Sequence, residues 1–78
     1  MGERLPVISA REAVRALEKA GFFIHHTTGS HAQLKHKTDT SLRVTVPMHG
    51  RDLPRGTLRS IIRQAQLTVE RFVELLNE

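Results

Sequence analysis

A chain of 78 residues has room for one domain, which we place at residues 1–78, with a core near the smallest that folds alone. The absence of cysteine excludes disulfides and thiolate metal sites, and no apolar run is long enough for a membrane span or a signal-peptide core. We therefore expect a soluble, cytoplasmic protein that uses no cofactor. With three phenylalanines and no tryptophan or tyrosine, the chain has few aromatic side chains for stacking single-stranded bases.

The positive charge is concentrated in the middle of the chain. Residues 21–66 carry a formal net charge of +5, the remaining residues together carry −1, and the whole chain carries +4. A basic central region of this kind favours a polyanionic partner such as nucleic acid. The alternative is a solvated basic surface that binds no partner.

The first predicted element is a helix over residues 10–20, which follows a short extended lead-in at residues 1–8. Ser9 and Glu12 fit a capping box, in which each side chain bonds to the other's backbone amide. Apolar residues then recur with the helical period, and Gly21 is typical of the left-handed residue that ends a helix.

Three strands are predicted next, at residues 22–27, 31–36 and 42–46. Gly29 and Ser30 form the turn between the first two, and Pro47 ends the third because proline cannot donate to a strand ladder. The connections are short, so the sequence predicts an antiparallel meander.

Strand alternation predicts which side chains face the first helix. Phe22 and Ile24 are expected to face it, as are Leu42, Val44 and Val46, and His25 and His26 should point to opposite sides of their strand. Phe23 should point away from the helix, and polar side chains would line that opposite, open face of the sheet: His25, Thr27, His31, Gln33, Lys35, Arg43 and Thr45.

Two helical segments are predicted to complete the chain. Thr57 is the expected N-cap of the first and Thr68 that of the second, with a break near residues 66–68. The fold class is therefore α+β, in the order α-β-β-β-α(α), with the helices on one face of a three-stranded antiparallel sheet. The last two helices could instead form a DNA-binding helix-turn-helix that reads bases through Arg59 and Arg63, but packing on the sheet explains their apolar spacing equally well.

The open face carries the residue types that metal-free RNA cleavage needs. A base must take the proton of a 2′-hydroxyl, an acid must protonate the leaving oxygen, and a cation must stabilise the phosphorane. His31 suits either proton-transfer role, and Lys35 or Arg43 suits the third. The alternative for His31 is an exposed turn histidine without a role.

The histidines also raise the question of a metal site. Their spacing does not match the metalloprotease pattern, and no thiolate accompanies them. We therefore expect no bound metal at the five positions, His25, His26, His31, His36 and His49.

Three motifs in order resemble a known family. They are Gly29-Ser30-His31, RVTVPMHG at residues 43–50, and PRGTLRSIIRQA at residues 54–65. The stretch at residues 6–9, the alanine-rich helix and Gly21-Phe22 fit the same family's opening. Nearly the whole chain thus resembles the HicA mRNA-interferase toxins, also called YcfA-like proteins.

The resemblance implies a fold like that of double-stranded-RNA-binding domains and a metal-independent ribonuclease that cleaves mRNA. It also implies a HicB-type antitoxin, which we expect to be acidic, and it makes His31 the catalytic residue. The chain departs from the family at residues 25–28, where His25 and His26 stand in place of the usual basic residues. A non-catalytic double-stranded-RNA-binding module is the alternative. The expected RNA-binding residues are Lys35, Arg43, Gln33, His25, His36 and Ser30.

Overall fold

The computed structural model describes residues 4–48 and 50–78; residues 1–3 of the predicted lead-in and His49 of the second motif lie outside them. The element order is the predicted one, and the fold is α+β. The elements are α1 (Ala10–Lys19), β1 (Phe22–Thr28), β2 (His31–His36), β3 (Arg43–Pro47), α2 (Arg55–Gln64) and α3 (Val69–Leu76).

Helix α1 begins at the predicted capping box. The Ser9 hydroxyl accepts a hydrogen bond from the Glu12 amide at 3.2 Å, and the Ser9 amide donates to the Glu12 carboxylate at 2.9 Å. The helix ends at Lys19, and Gly21 follows with a φ of +102°. The predicted capping box and the predicted left-handed glycine are both confirmed. Each is a local sequence signal that acts within one turn of the helix.

Gly21 is required for a second reason. A Cβ atom at this position would lie 2.7 Å from Nε2 of His36, and that nitrogen is hydrogen-bonded to the Ala20 carbonyl at 3.0 Å. The ring of His36 also packs edge-on against Phe22, with 4.9 Å between ring centroids. The His36 side chain therefore closes the junction between α1 and the sheet.

The sheet is the predicted antiparallel meander, in the order β1-β2-β3. Thr28 pairs with His31, so Gly29 and Ser30 make a two-residue turn, in which Gly29 has a φ of +54°. A positive φ at the first turn position favours glycine there. The Met48 amide donates to the Ser30 carbonyl, and this bond ties the end of β3 to the turn that precedes His31.

Strand β1 departs from the predicted alternation. Its register with β2 shifts between Ile24 and His26, which makes His25 the extra residue of a β-bulge. Beyond the bulge the alternation is reversed, so His26 pairs with Gln33, and Thr27 pairs with the buried Ala32. The prediction that Thr27 faces away from the helices is wrong for this reason.

Ile24 lies on the predicted side of the sheet but is not buried there. Ile24 pairs with Leu34, which is buried, yet Ile24 is 43% exposed. Every residue of β1 after Phe22 is exposed, so the helices cover only the start of this strand. The rest of β1 projects beyond the core.

The two C-terminal helices match the prediction in different degrees. Thr68 is the N-cap of α3 as predicted, and its hydroxyl accepts from the Arg71 amide at 3.0 Å. Helix α2 starts at Arg55, earlier than the predicted Thr57 cap, and follows Pro54 with no side-chain cap. Pro54 is itself in an extended conformation, with a φ of −59°, and the helix begins at the next residue without a capping hydroxyl.

The core lies between the sheet and the helices. The largest fully buried side chains come from all three helices and from β2 and β3: Phe72, Leu17, Leu34, Leu58, Ile61, Leu75, Val44 and Val46. Lys19 adds a polar link, because its ammonium donates to the Leu75 carbonyl of α3 at 3.0 Å. In the described part of the chain, no helix has the length and apolar character needed to cross a membrane.

Candidate nucleic-acid interface

The open face of the sheet, defined as the surface away from the core, brings most of the predicted site residues together. On β2, His31, Gln33 and Lys35 alternate with the buried Ala32 and Leu34. Their partners on β3 are Pro47, Thr45 and Arg43, respectively. This open face contains two separate depressions, one at each end of β2.

The first depression, which we call the His31 cleft, lies between β3 and α2. Its volume is about 400 Å³. That size falls in the range of small-molecule and nucleotide sites. Helix α2 supplies one wall and the strands supply the other, and the lining residues are His31, Thr45, Pro47, Gly56, Thr57, Ser60, Ile61 and Gln64.

A hydrogen-bonded chain holds α2 against the edge of β3 at this cleft. Gln64 accepts from the Thr45 backbone amide at 2.9 Å and donates to the Ser60 hydroxyl at 3.1 Å. The Thr45 hydroxyl in turn donates to Gln33 at 3.4 Å. Gln64 therefore satisfies an amide on the free edge of the sheet and fixes the wall that faces His31.

The α2 residues of this cleft were missed from the sequence. Ser60 and Gln64 lie in the third motif, but their helix was interpreted only through its apolar and arginine positions. Two polar residues spaced four apart lie on one helix face, and this spacing was the available signal. Their approach to His31 depends on how α2 packs against β3, which no local pattern encodes.

The second depression, which we call the bulge pocket, lies beside the irregular part of β1. It has a volume of about 250 Å³ and is lined by His25, His26, Gln33, Leu34, Lys35 and Arg43. The prediction that His25 and His26 point to opposite sides is wrong, because both line this pocket and their ring centroids are 6.5 Å apart. A bulge places two successive residues opposite one residue of the neighbouring strand, which explains the shared side.

The bulge pocket is strongly cationic. Lys35 and Arg43 are direct cross-strand partners, and like charges in that position repel each other. Within residues 4–48 and 50–78, neither side chain forms an ion pair, and none of the pocket's lining residues is acidic. An anion bound between them would relieve the repulsion.

Two other ionisable residues near the sheet lie outside both depressions. His36 is on the core side, where Nδ1 accepts from the Thr38 and Asp39 amides at 3.2 and 3.1 Å, and Nε2 then donates to Ala20. The Ser41 hydroxyl and amide both donate to Asp39 and lower the pKa of that carboxyl. Asp39 is therefore an anion at neutral pH and does not lie where it could serve as a proton donor to the cleft.

Ser30, the remaining predicted RNA-binding residue, lies in the turn directly before His31, and its carbonyl is the acceptor for Met48. Among the residues that the structure describes, no group of three His, Asp or Glu side chains could hold a metal ion. The cleft offers a side chain for proton transfer, and the bulge pocket offers positive charge.

A known protein family matches most of the chain. Residues 10–67 match the family described as HicA toxin of bacterial toxin-antitoxin. The matched segment runs from the start of α1 to the residues just before α3 and includes every residue of the cleft and the pocket. No individual curated protein matches the chain at a significant level.

Proposed function

We propose that this chain, which belongs to the HicA toxin family of bacterial toxin–antitoxin systems, is a toxin that acts by cleaving mRNA, with His31 as a proton-transfer group. One observation carries the proposal: His31 opens into a cleft of about 400 Å³ on the same sheet face as Lys35 and Arg43. A proton-transfer side chain suits cleavage of the RNA backbone, and cations along the same face can hold the neighbouring phosphates.

The proposed reaction is attack by the 2′-hydroxyl of the RNA on its own adjacent phosphate. His31 takes the proton of the hydroxyl, the 2′-oxygen bonds to phosphorus, and the bond from phosphorus to the 5′-oxygen breaks. The leaving oxygen takes up a proton from water, and the products carry a 2′,3′-cyclic phosphate and a 5′-hydroxyl. The same ring could serve the reverse role by protonating the leaving oxygen.

The other residues of the open face bind and orient the RNA in this proposal. Lys35 and Arg43 attract the phosphate backbone, and Gln33 offers a hydrogen-bonding amide between them and His31. The Ser60 hydroxyl accepts from Gln64 and still has its own hydrogen to donate to a phosphate oxygen. We propose that no metal takes part: His31 transfers the proton, and the Ser60 hydroxyl of the same cleft donates to the reacting phosphate.

The test uses the purified wild-type chain and the variant His31→Ala with excess chelator present. We expect the wild type to cleave RNA, and we expect the variant to lose at least about a hundredfold in rate while unfolding at the same temperature. Wild-type expression should stop bacterial growth, and expression of the variant should not. A folded His31→Ala protein that is equally active would refute the assignment, and RNA bound but left intact by the wild type would indicate an RNA-binding module instead.

A toxin of this kind needs an inhibitor, and we propose a HicB-like antitoxin that covers the open face. Its contact surface should be acidic, because the central part of the chain carries a net charge of +5. Co-expression with the adjacent reading frame, followed by purification through a tag on this chain, should recover an acidic protein that abolishes cleavage. Recovery of the chain alone, with growth unaffected, would contradict the proposal.

A further inference from the structure

The bulge pocket contains two side chains that the proposed cleavage reaction does not use. His25 and His26 lie beside the middle of β2, where His26 pairs with Gln33, and they line the pocket together with the like-charged pair Lys35 and Arg43. A bulge in an exposed hairpin often serves to redirect a side chain near a functional site. Here it directs two imidazole rings into one cationic depression.

We propose that the bulge pocket is a second phosphate site, in which His25 and His26 join Lys35 and Arg43 and tighten binding as the pH falls. The proposal rests on the proposed function only in taking RNA as the source of the phosphate. The phosphate held here would belong to a nucleotide next to the one being cleaved, and not to the scissile bond.

The cross-strand pair is the first reason to place an anion here. Lys35 and Arg43 face each other across adjacent strands, where their Cβ atoms are about 5 Å apart and their charges repel. A phosphate oxygen between them would accept a hydrogen bond from each cation, and charge-assisted bonds of this type are the strong ones.

The position along β2 is the second reason. Lys35 is four residues beyond His31 on the same face of the strand, a separation of roughly 13 Å. That distance is too long for both residues to contact one phosphate group. Gln33 lies between them and also lines the bulge pocket, so an RNA strand could run along β2 from one depression to the other.

The paired rings make the site sensitive to pH. An imidazole gains a positive charge and a second N–H donor when it is protonated, within the range from about pH 8 to pH 5. The charged groups that face the two rings are Lys35 from β2 and Arg43 from β3, and none of the pocket's described lining residues is a carboxylate. A bound phosphate would attract each protonated ring, so phosphate and protons should favour each other's binding.

The experiment measures binding to an RNA in which 2′-O-methyl groups prevent cleavage. The wild type is compared with the double variant His25→Asn/His26→Asn at pH 8 and at pH 5.5. We expect the wild type to bind about tenfold more tightly at the lower pH, and each protonated ring that binds a phosphate should steepen the salt dependence by about 0.7. The double variant should match the wild type at pH 8 and show little of this tightening at pH 5.5.

A second measurement uses inorganic phosphate as the probe and follows the histidine rings by NMR. Phosphate should raise the titration midpoints of His25 and His26 in the wild type, and the variant Lys35→Gln/Arg43→Gln should abolish this effect. The His36 ring is the internal control, since both its nitrogens are bonded within the chain. Its midpoint should not move.

The outcomes separate this proposal from the proposed function. Equal pH dependence in the wild type and the histidine double variant would overturn the phosphate site, whether or not the chain cleaves RNA. Tight, pH-dependent binding by a chain that cuts no RNA would support the site and contradict the ribonuclease. No binding of RNA or phosphate at either pH would contradict the phosphate site.

Discussion

The His31 cleft and the bulge pocket lie on one sheet face, yet different secondary-structure elements and different types of side chain form them. The cleft has one titratable side chain among its described residues, surrounded by hydroxyl and amide groups from α2 and β3. The pocket has two cations and two imidazoles, and the sheet alone supplies them. The difference suggests a division of work, with proton transfer in the cleft and phosphate binding in the pocket.

The two sites also depend on different parts of the fold. The cleft exists only because α2 packs along the edge of β3, where the Gln64 side chain holds the helix in place. The pocket depends on the register of β1 with β2 and on the bulge at His25. A substitution in α2 should therefore disturb catalysis and leave the bulge pocket intact. A substitution in the bulge pocket should disturb that pocket and leave catalysis in the cleft intact.

Among the residues that transfer no proton in the proposed reaction, the largest effect is expected from Gln64→Leu. The substitution removes the acceptor for the Thr45 amide and leaves a partly buried donor unsatisfied, which costs about 1 kcal/mol or somewhat more of stability. It also loosens the wall opposite His31, and we expect a loss of about tenfold in cleavage rate because small displacements of catalytic groups are costly. Denaturant unfolding and single-turnover cleavage measure the two effects.

Ser60→Ala is the matched control for that variant. It removes only the exposed end of the hydrogen-bonded chain, so its stability should change by less than about 0.5 kcal/mol. Equal losses of stability in the two variants would show that the bond from Thr45 to Gln64 does not hold α2 in place. Binding of inorganic phosphate to the bulge pocket should be unaffected by Ser60→Ala, because Ser60 lines the His31 cleft and not that pocket.

A smaller effect is expected from Lys35→Ala and Arg43→Ala. Each removes one phosphate contact, so each should flatten the log–log salt dependence of RNA binding by about 0.7 to 1, with no new sequence preference. Binding of uncleavable RNA at several salt concentrations provides the slope. If both slopes equal that of the wild type, the RNA lies elsewhere, and the exposed arginines Arg55, Arg59 and Arg63 of α2 become the candidates.

Local signals made much of the fold predictable from the sequence. Ser9 with Glu12, Gly21, and Thr68 are start and stop signals that act within one turn of a helix, and each was found where it was predicted. The turn at Gly29 is equally local, and it placed His31 at the start of β2. The start of α2 was misplaced because Pro54 begins a helix without a capping side chain.

The two depressions were less predictable, since each depends on non-local pairing. One extra residue in β1 leaves the run of residues 22–28 looking like an ordinary strand, and only the register with β2 reveals the bulge. For that reason His26 and Thr27 were assigned to the wrong faces of the sheet. The role of Gln64 depends on the packing of α2 against the edge of β3, where its partner Thr45 lies 19 residues away along the chain.

The division of work between the two depressions is tested most directly by cleavage rates measured against RNA concentration. His31→Ala and the double variant Lys35→Ala/Arg43→Ala are compared with the wild type under single-turnover conditions. We predict that saturating RNA restores nearly the full wild-type rate in the double variant, and that the rate of His31→Ala stays at least about a hundredfold lower at every concentration. A double variant that stays slow at saturation, or a His31→Ala protein rescued by more RNA, would contradict the account.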